Sequence, residues 1–89
     1  MLSREVTIQN RIGLHARPAA LFIRKASGFQ SAVWIEVDNR RVNAKSLLGV
    51  LSMGLVKDSI ITLIADGSDE EETLEALVTL IMYELEVEE

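Results

Sequence analysis

The chain has no cysteine, one proline and a single histidine in 89 residues. Without cysteine there is no disulfide framework, no thiolate chemistry and no cysteine-based zinc site. One imidazole supplies too few donors for another metal cage, so neither metal nor cofactor is expected. Aromatic residues make up only 4%, and no basic run is longer than two, which argues against direct nucleic-acid binding. No stretch approaches the roughly 18 apolar residues of a membrane span. The opening Met1-Leu2-Ser3-Arg4-Glu5-Val6 places charge where a signal peptide needs its hydrophobic stretch. A cytoplasmic protein without membrane insertion is expected.

What is present is a high apolar content, 48%, in a length that suits one small core, so residues 1–89 read as one domain. The net charge of −5 conceals a segregation. Residues 1–57 carry all nine Lys and Arg against Glu5, Glu36 and Asp38, a balance of +6, whereas residues 58–89 carry eleven acids and no base. An acidic partner or a phosphate is drawn to the first part.

Arg4 to Gln9 alternates, Val6 and Ile8 on one side, as a half-buried strand does. After a loop at residues 10–13 the period changes at Ala16. Ala19, Phe22, Ile23 and Ala26 share a helical face that Ser27-Gly28 terminates. Ala32 to Val37 and a short strand around Val42, Arg41 to Asn43, form a hairpin about Asp38-Asn39. Ser46 to Gly54 reads as a two-turn helix between good cap residues. Ser59 to Ala65 has the composition of a central strand. Ser68-Asp69-Glu70-Glu71 has capping-box spacing and opens a long final helix with Leu74, Leu77, Val78, Ile81 and Leu85 on one face. The order is βαββαβα. Strands with one apolar face each and two amphipathic long helices satisfy one another when the helices cover one side of an antiparallel sheet, an α+β arrangement.

The histidine lies in Gly13-Leu14-His15-Ala16-Arg17-Pro18-Ala19-Ala20, where loop becomes helix. Amides at a helix start have no helical partner and the dipole adds positive charge there, so the imidazole is held neutral with a lone pair free to attack. A phosphoryl group on His15 would meet the Ala16 and Arg17 N–H groups and the Arg17 guanidinium. Pro18 costs little in the first turn. On the helical wheel Arg17, Leu21 and Arg24 fall opposite the buried face, and an exposed leucine between two arginines suggests a docking surface. Ser46 reads as an N-cap. Leu47, Leu48 and Leu51 occupy a different arc of the short helix from Val50 and Met53; both arcs cannot be buried, so an apolar patch is expected near His15. Lys45 stands beside it, available to a phosphate or a partner. Trp34 falls on the open side of the sheet.

Gly13 to Ala20, together with Val42-Asn43-Ala44-Lys45-Ser46-Leu47-Leu48-Gly49-Val50, resembles the HPr family of histidine phosphocarrier proteins of the bacterial phosphoenolpyruvate:sugar phosphotransferase system. The resemblance spans the whole chain. It implies an open-faced β-sandwich, a four-stranded antiparallel sheet with three helices on one face. It implies that His15 takes a phosphoryl group on Nδ1 from phosphorylated Enzyme I and passes it to sugar-specific IIA proteins, Arg17 contacting the phosphate. It further implies, as in Gram-positive type members, phosphorylation of Ser46 by the HPr kinase/phosphorylase and binding of the modified protein to a catabolite-control repressor. Such a protein is a carrier, not a turnover enzyme, and transient one-to-one docking suits a monomer. The alternative is a purely regulatory module of the same fold acting through Ser46; members of that kind lack the histidine, which this chain keeps. One departure is Ile12, where the family usually has a small polar residue. Isoleucine cannot donate a hydrogen bond to a phosphate, so the phosphoryl group would depend more on backbone amides and Arg17.

Overall fold

The computed structural model describes residues 1–9, 13 and 16–85. Alternation in the sequence becomes four strands, β1 (Leu2–Thr7), β2 (Ala32–Val37), β3 (Arg40–Asn43) and β4 (Ile60–Asp66). The helical periods become α1 (Ala16–Ser27), α2 (Leu47–Ser52) and α3 (Glu70–Thr79), the last continuing as a π-helical segment over Leu80–Glu84. The strands form one antiparallel sheet in the order β1-β4-β2-β3. The expected βαββαβα order and α+β class are what the chain adopts.

Side chains that oppose one another in an antiparallel pair project from the same face. The pairs Val6 with Ile61, Ile35 with Leu63 and Val33 with Ala65 therefore define one buried face. Phe22, Ala19 and Ala26 of α1, Val50 of α2, and Leu74, Leu77, Ile81 and Leu85 of the last helix complete the same hydrophobic cluster. Each fully buried Leu, Ile or Phe contributes about 1.5–3 kcal/mol relative to exposure, before conformational entropy is subtracted.

Several expectations require correction. β1 begins at Leu2 and ends at Thr7 rather than spanning Arg4 to Gln9, although Ile8 still accepts from Asp58 N–H at 2.9 Å and donates to Ser59 at 2.8 Å. The buried arc of α1 includes Pro18, while Ile23 is only half-buried. Leu21 is half-buried and packs against the core instead of facing solvent. It lies three residues, about 300°, beyond Pro18, and is therefore only about 60° from that arc. There it flanks a cleft shared with Leu80 of the last helix.

The expected capping box is not formed. The N-cap is Asp69, and it makes no side-chain cap bond. Its carboxylate instead reaches across to the loop after α1, accepting from the N–H groups of Gln30 and Ser31 at 2.9 Å and from the Ser31 hydroxyl. Glu70 reaches back to Gly67 N–H at 3.1 Å, the return half of a box displaced by one residue. The final helix also changes pitch: Leu85 N–H bonds to Leu80 C=O, five residues back, so Leu80 is buried along with Ile81 and Leu85.

Trp34 is on the open face, as its alternation requires, but is half-buried there. Its cross-strand neighbour Ile64 is only 4% exposed. Besides lying cross-strand from Trp34, Ile64 shares a depression with Met1, Leu2, Ser3, Glu36, Arg41 and Thr62.

Candidate functional site

His15, with Leu14 and Ile12, lies outside the described residues; what surrounds that position is described. α1 begins at Ala16, the next residue in the chain. Ala16 and Arg17 are the first two helical residues, so their N–H groups have no helical carbonyl to bond. Arg17 is exposed and Pro18 is buried, the ring packing inward where its missing N–H costs nothing. No acidic side chain stands in the first turn of α1. Arg24 is exposed farther along the helix, and both arginines stand clear of the core.

Gly13 fixes the approach to this turn. It adopts φ +70°, a conformation that glycine tolerates and other residues adopt only with strain. A β-carbon there would stand 2.7 Å from Val56 Cα and closer still to the Leu55 carbonyl oxygen. The residue two before His15 is thus pressed against the segment leaving α2, which brings the two sequence motifs together. The positive φ was implicit in a glycine at the end of a loop, but its contact with Leu55 and Val56 was not.

α2 is built as its sequence suggests. Ser46, in extended conformation, accepts Gly49 N–H on its hydroxyl at 3.2 Å, and its carbonyl accepts Val50 N–H at 2.9 Å. The helix ends after Ser52, with Gly54 at φ +61° beyond the cap. Val50 is buried, whereas Leu47, Leu48 and Leu51 are 45%, 80% and 37% exposed. Val56, which sequence reasoning did not single out, is exposed beside them in the chain, and its backbone is what Gly13 touches.

Lys45 is half-buried, and its ammonium donates to the Phe29 carbonyl at 3.0 Å, just beyond the end of α1. One of its three donors is spent on the fold, and two are left for an anion. The Phe29–Ser31 loop is consequently held from both sides, by Lys45 at a carbonyl and by Asp69 at two amides. The Ser31 hydroxyl, with the Gln30 and Ser31 amides and Thr73, holds the Asp69 carboxyl down at a pKa of about 2. Among the described residues no group of three or more His, Cys, Asp or Glu is arranged to hold a metal ion, and no helix is long and apolar enough to cross a membrane.

The arrangement joins a helix start with free amides, an exposed arginine, a serine that caps the neighbouring helix and an exposed apolar arc on that helix. Such a surface suits a phosphate and a partner that presents acidic and apolar groups. A family model described as the PTS HPr component phosphorylation site matches residues 2–82. The HPr-like protein Crh of Halalkalibacterium halodurans is 45% identical over 84 residues, covering 94% of this chain and all of the relative. The phosphocarrier protein HPr of Neisseria meningitidis is 42% identical over 81 residues, 91% of each chain. The crystal structure of HPr-C-His from Thermoanaerobacter tengcongensis superposes with a TM-score of 0.88 at 51% identity, covering 91% of each chain. A second structure of that organism's HPr, described as a dimer, has a TM-score of 0.72 at 52% identity over 88% of this chain and 92% of the other.

Proposed function

This chain belongs to the HPr family of phosphocarriers, and from that premise we propose that it accepts a phosphoryl group on Nδ1 of His15 from phosphorylated Enzyme I and donates it to sugar-specific IIA proteins. Residues 1–89 act as one HPr-like domain in the cytoplasm. The observation that carries the reading is the start of α1 at Ala16, directly after the histidine, with Arg17 exposed in the first turn.

The neutral imidazole attacks phosphorus through its Nδ1 lone pair; the N–P bond forms as the bond to the donor breaks, while Nε2 keeps its proton. The Ala16 and Arg17 N–H groups and the Arg17 guanidinium take the charge of the transferred oxygens. In the second transfer the same bond breaks toward the IIA acceptor. The protein supplies the nucleophile and the anion cradle, and the partner supplies the rest of the site. Leu21, Arg24, Lys45, Leu47, Leu48 and Leu51 form the docking surface, with Leu21 contributing from its half-buried position. The carrier docks one-to-one as a monomer, which sedimentation at working concentration checks.

Phosphorus NMR after incubation with phosphoenolpyruvate and Enzyme I is the test. A phosphohistidine resonance absent from His15→Ala supports the carrier; its absence from folded protein, with a donor active on another carrier, refutes it. The 45% identity to an HPr-like protein named Crh favours a second role, regulation through phosphorylation of Ser46 by an HPr kinase/phosphorylase and binding to a catabolite-control repressor. A module acting only in that way would accept phosphate on Ser46 and none on His15.

A further inference from the structure

On the sheet face that no helix covers, Gln30, Trp34, Asn43 and Lys45 line a depression of about 320 Å³. It lies where β2 begins and β3 ends, between the loops that leave α1 and enter α2. Three kinds of recognition group meet there. Trp34 is half-buried and cross-strand from Asn43, so part of its indole is open to a ligand. Asn43 Oδ1 accepts Lys45 N–H at 2.8 Å, which fixes the carboxamide and leaves its NH₂ donors unspent among the described residues. The exposed Gln30 is anchored through its backbone to Asp69, and its carboxamide is uncommitted among the same residues. The Lys45 ammonium uses one of its three donors on Phe29. Among the described residues no acidic side chain lines the depression.

We propose that this depression binds a nucleoside monophosphate. The base stacks on the indole, a Gln30 or Asn43 carboxamide pairs with its edge, and the Lys45 ammonium takes the phosphate. Stacking on an aromatic side chain suits any planar base. A carboxamide presents a donor and an acceptor, matching N6 and N7 of adenine and, in an unpaired nucleotide, N1 and O6 of guanine equally well. An ammonium is a point donor for phosphate oxygens. The volume stands at the small end of the roughly 300–1,000 Å³ of ligand sites, enough for one nucleotide rather than two. His15 and Ser46 take no part, and Lys45 is shared with the proposed docking surface.

Trp34 is the chain's only tryptophan, so its fluorescence reports on this place alone. AMP is titrated with excitation at the red edge of the indole band, where adenine does not absorb, beside GMP, ribose 5-phosphate and inorganic phosphate. The expected result is saturable quenching by AMP and by GMP and none by the other two. Replacing Gln30 and Asn43 together by alanine leaves the reporter in place and should weaken AMP about tenfold or more, the loss of one bidentate edge contact of about 1–3 kcal/mol. Because Trp34 is half-buried and cross-strand from Ile64, Trp34→Leu is followed by NMR, with loss of the AMP-induced shifts at the Asn43 and Lys45 amides expected in a chain whose core resonances are unchanged. Absence of saturable quenching by AMP, or an equal response to ribose 5-phosphate or phosphate alone, overturns the proposal.

Discussion

Asp69 shows how much one carboxylate can organise when its partners lie far away in sequence. Two amides and two hydroxyls converge on it, the Ser31 hydroxyl contributing most to its low pKa of about 2 against an ordinary 3.8. A carboxyl depressed on folding stabilises the native state above its unfolded pKa, and that stabilisation is lost as pH falls through the folded value. Denaturant midpoints should therefore fall between about pH 4 and pH 2, and Asp69→Asn should flatten the dependence in that window; an unchanged slope in the variant would contradict the assignment. Gly13 is the second such residue. With φ +70° and the Leu55–Val56 backbone against its α-carbon, Gly13→Ala should lower the unfolding free energy by about 1–3 kcal/mol or more. A variant as stable as wild type would show that the loop approaches α1 differently. Ile12 lies outside the described residues, and its effect is tested chemically: Ile12→Asn should lengthen the life of the phosphorylated form, and an unchanged hydrolysis rate would leave the residue without a role there.

At the scale of elements, α2 lets the capping role of one serine be separated from the regulatory role proposed for it. As N-cap, Ser46 satisfies the Gly49 amide, so Ser46→Ala should cost about 0.5–2 kcal/mol in thermal or denaturant unfolding. Aspartate can cap as well, and negative charge at a helix start is favourable, so Ser46→Asp should keep the fold. The same charge beside Leu47, Leu48 and Leu51 opposes an acidic, apolar partner, so Ser46→Asp should slow phosphorylation of His15. Phosphorylation at the wild-type rate would place docking elsewhere. These elements were legible because each rests on near neighbours in the chain: alternation for β2, period and terminating glycine for α1, serine and glycine around α2. The start of α3 was misread because Ser68 and Glu71 satisfy the spacing of a capping box, while the bond that forms uses Asp69 and a loop 38 residues away. The π-helical turn was also hidden, since Leu80, Ile81 and Leu85 fit a regular helical face almost as well as the one adopted.

For the whole molecule the decisive feature is charge separated along the chain and gathered by the fold. The basic part contributes α1 and α2, with Arg17 and Arg24 exposed, while Glu70, Glu71 and Glu72 crowd the first turn of α3. If an acidic partner is steered to the basic side, the rate of phosphoryl transfer from Enzyme I should fall steeply with added salt, as the screening length shrinks from about 10 Å at 0.1 M to about 3 Å at 1 M. Stopped-flow measurement of the transfer over that range gives the answer, and a rate insensitive to salt would assign docking to the apolar arc alone.

The sequence by itself determined the element order, the buried face of the sheet, the N-cap of α2 and the motifs from which the phosphoryl chemistry is proposed. Each follows from steric and hydrogen-bonding preferences that act within a few residues, or from motifs contiguous in the chain. Only the tertiary structure decided that Gly13 rests on Leu55 and Val56, that Lys45 serves the end of α1, that Asp69 holds the Phe29–Ser31 loop and that Trp34 lies cross-strand from Ile64. Those contacts depend on which of many polar and apolar groups the packed sheet and helices bring within about 3–4 Å of one another. Sequence neighbours cannot specify that distance before the chain has folded.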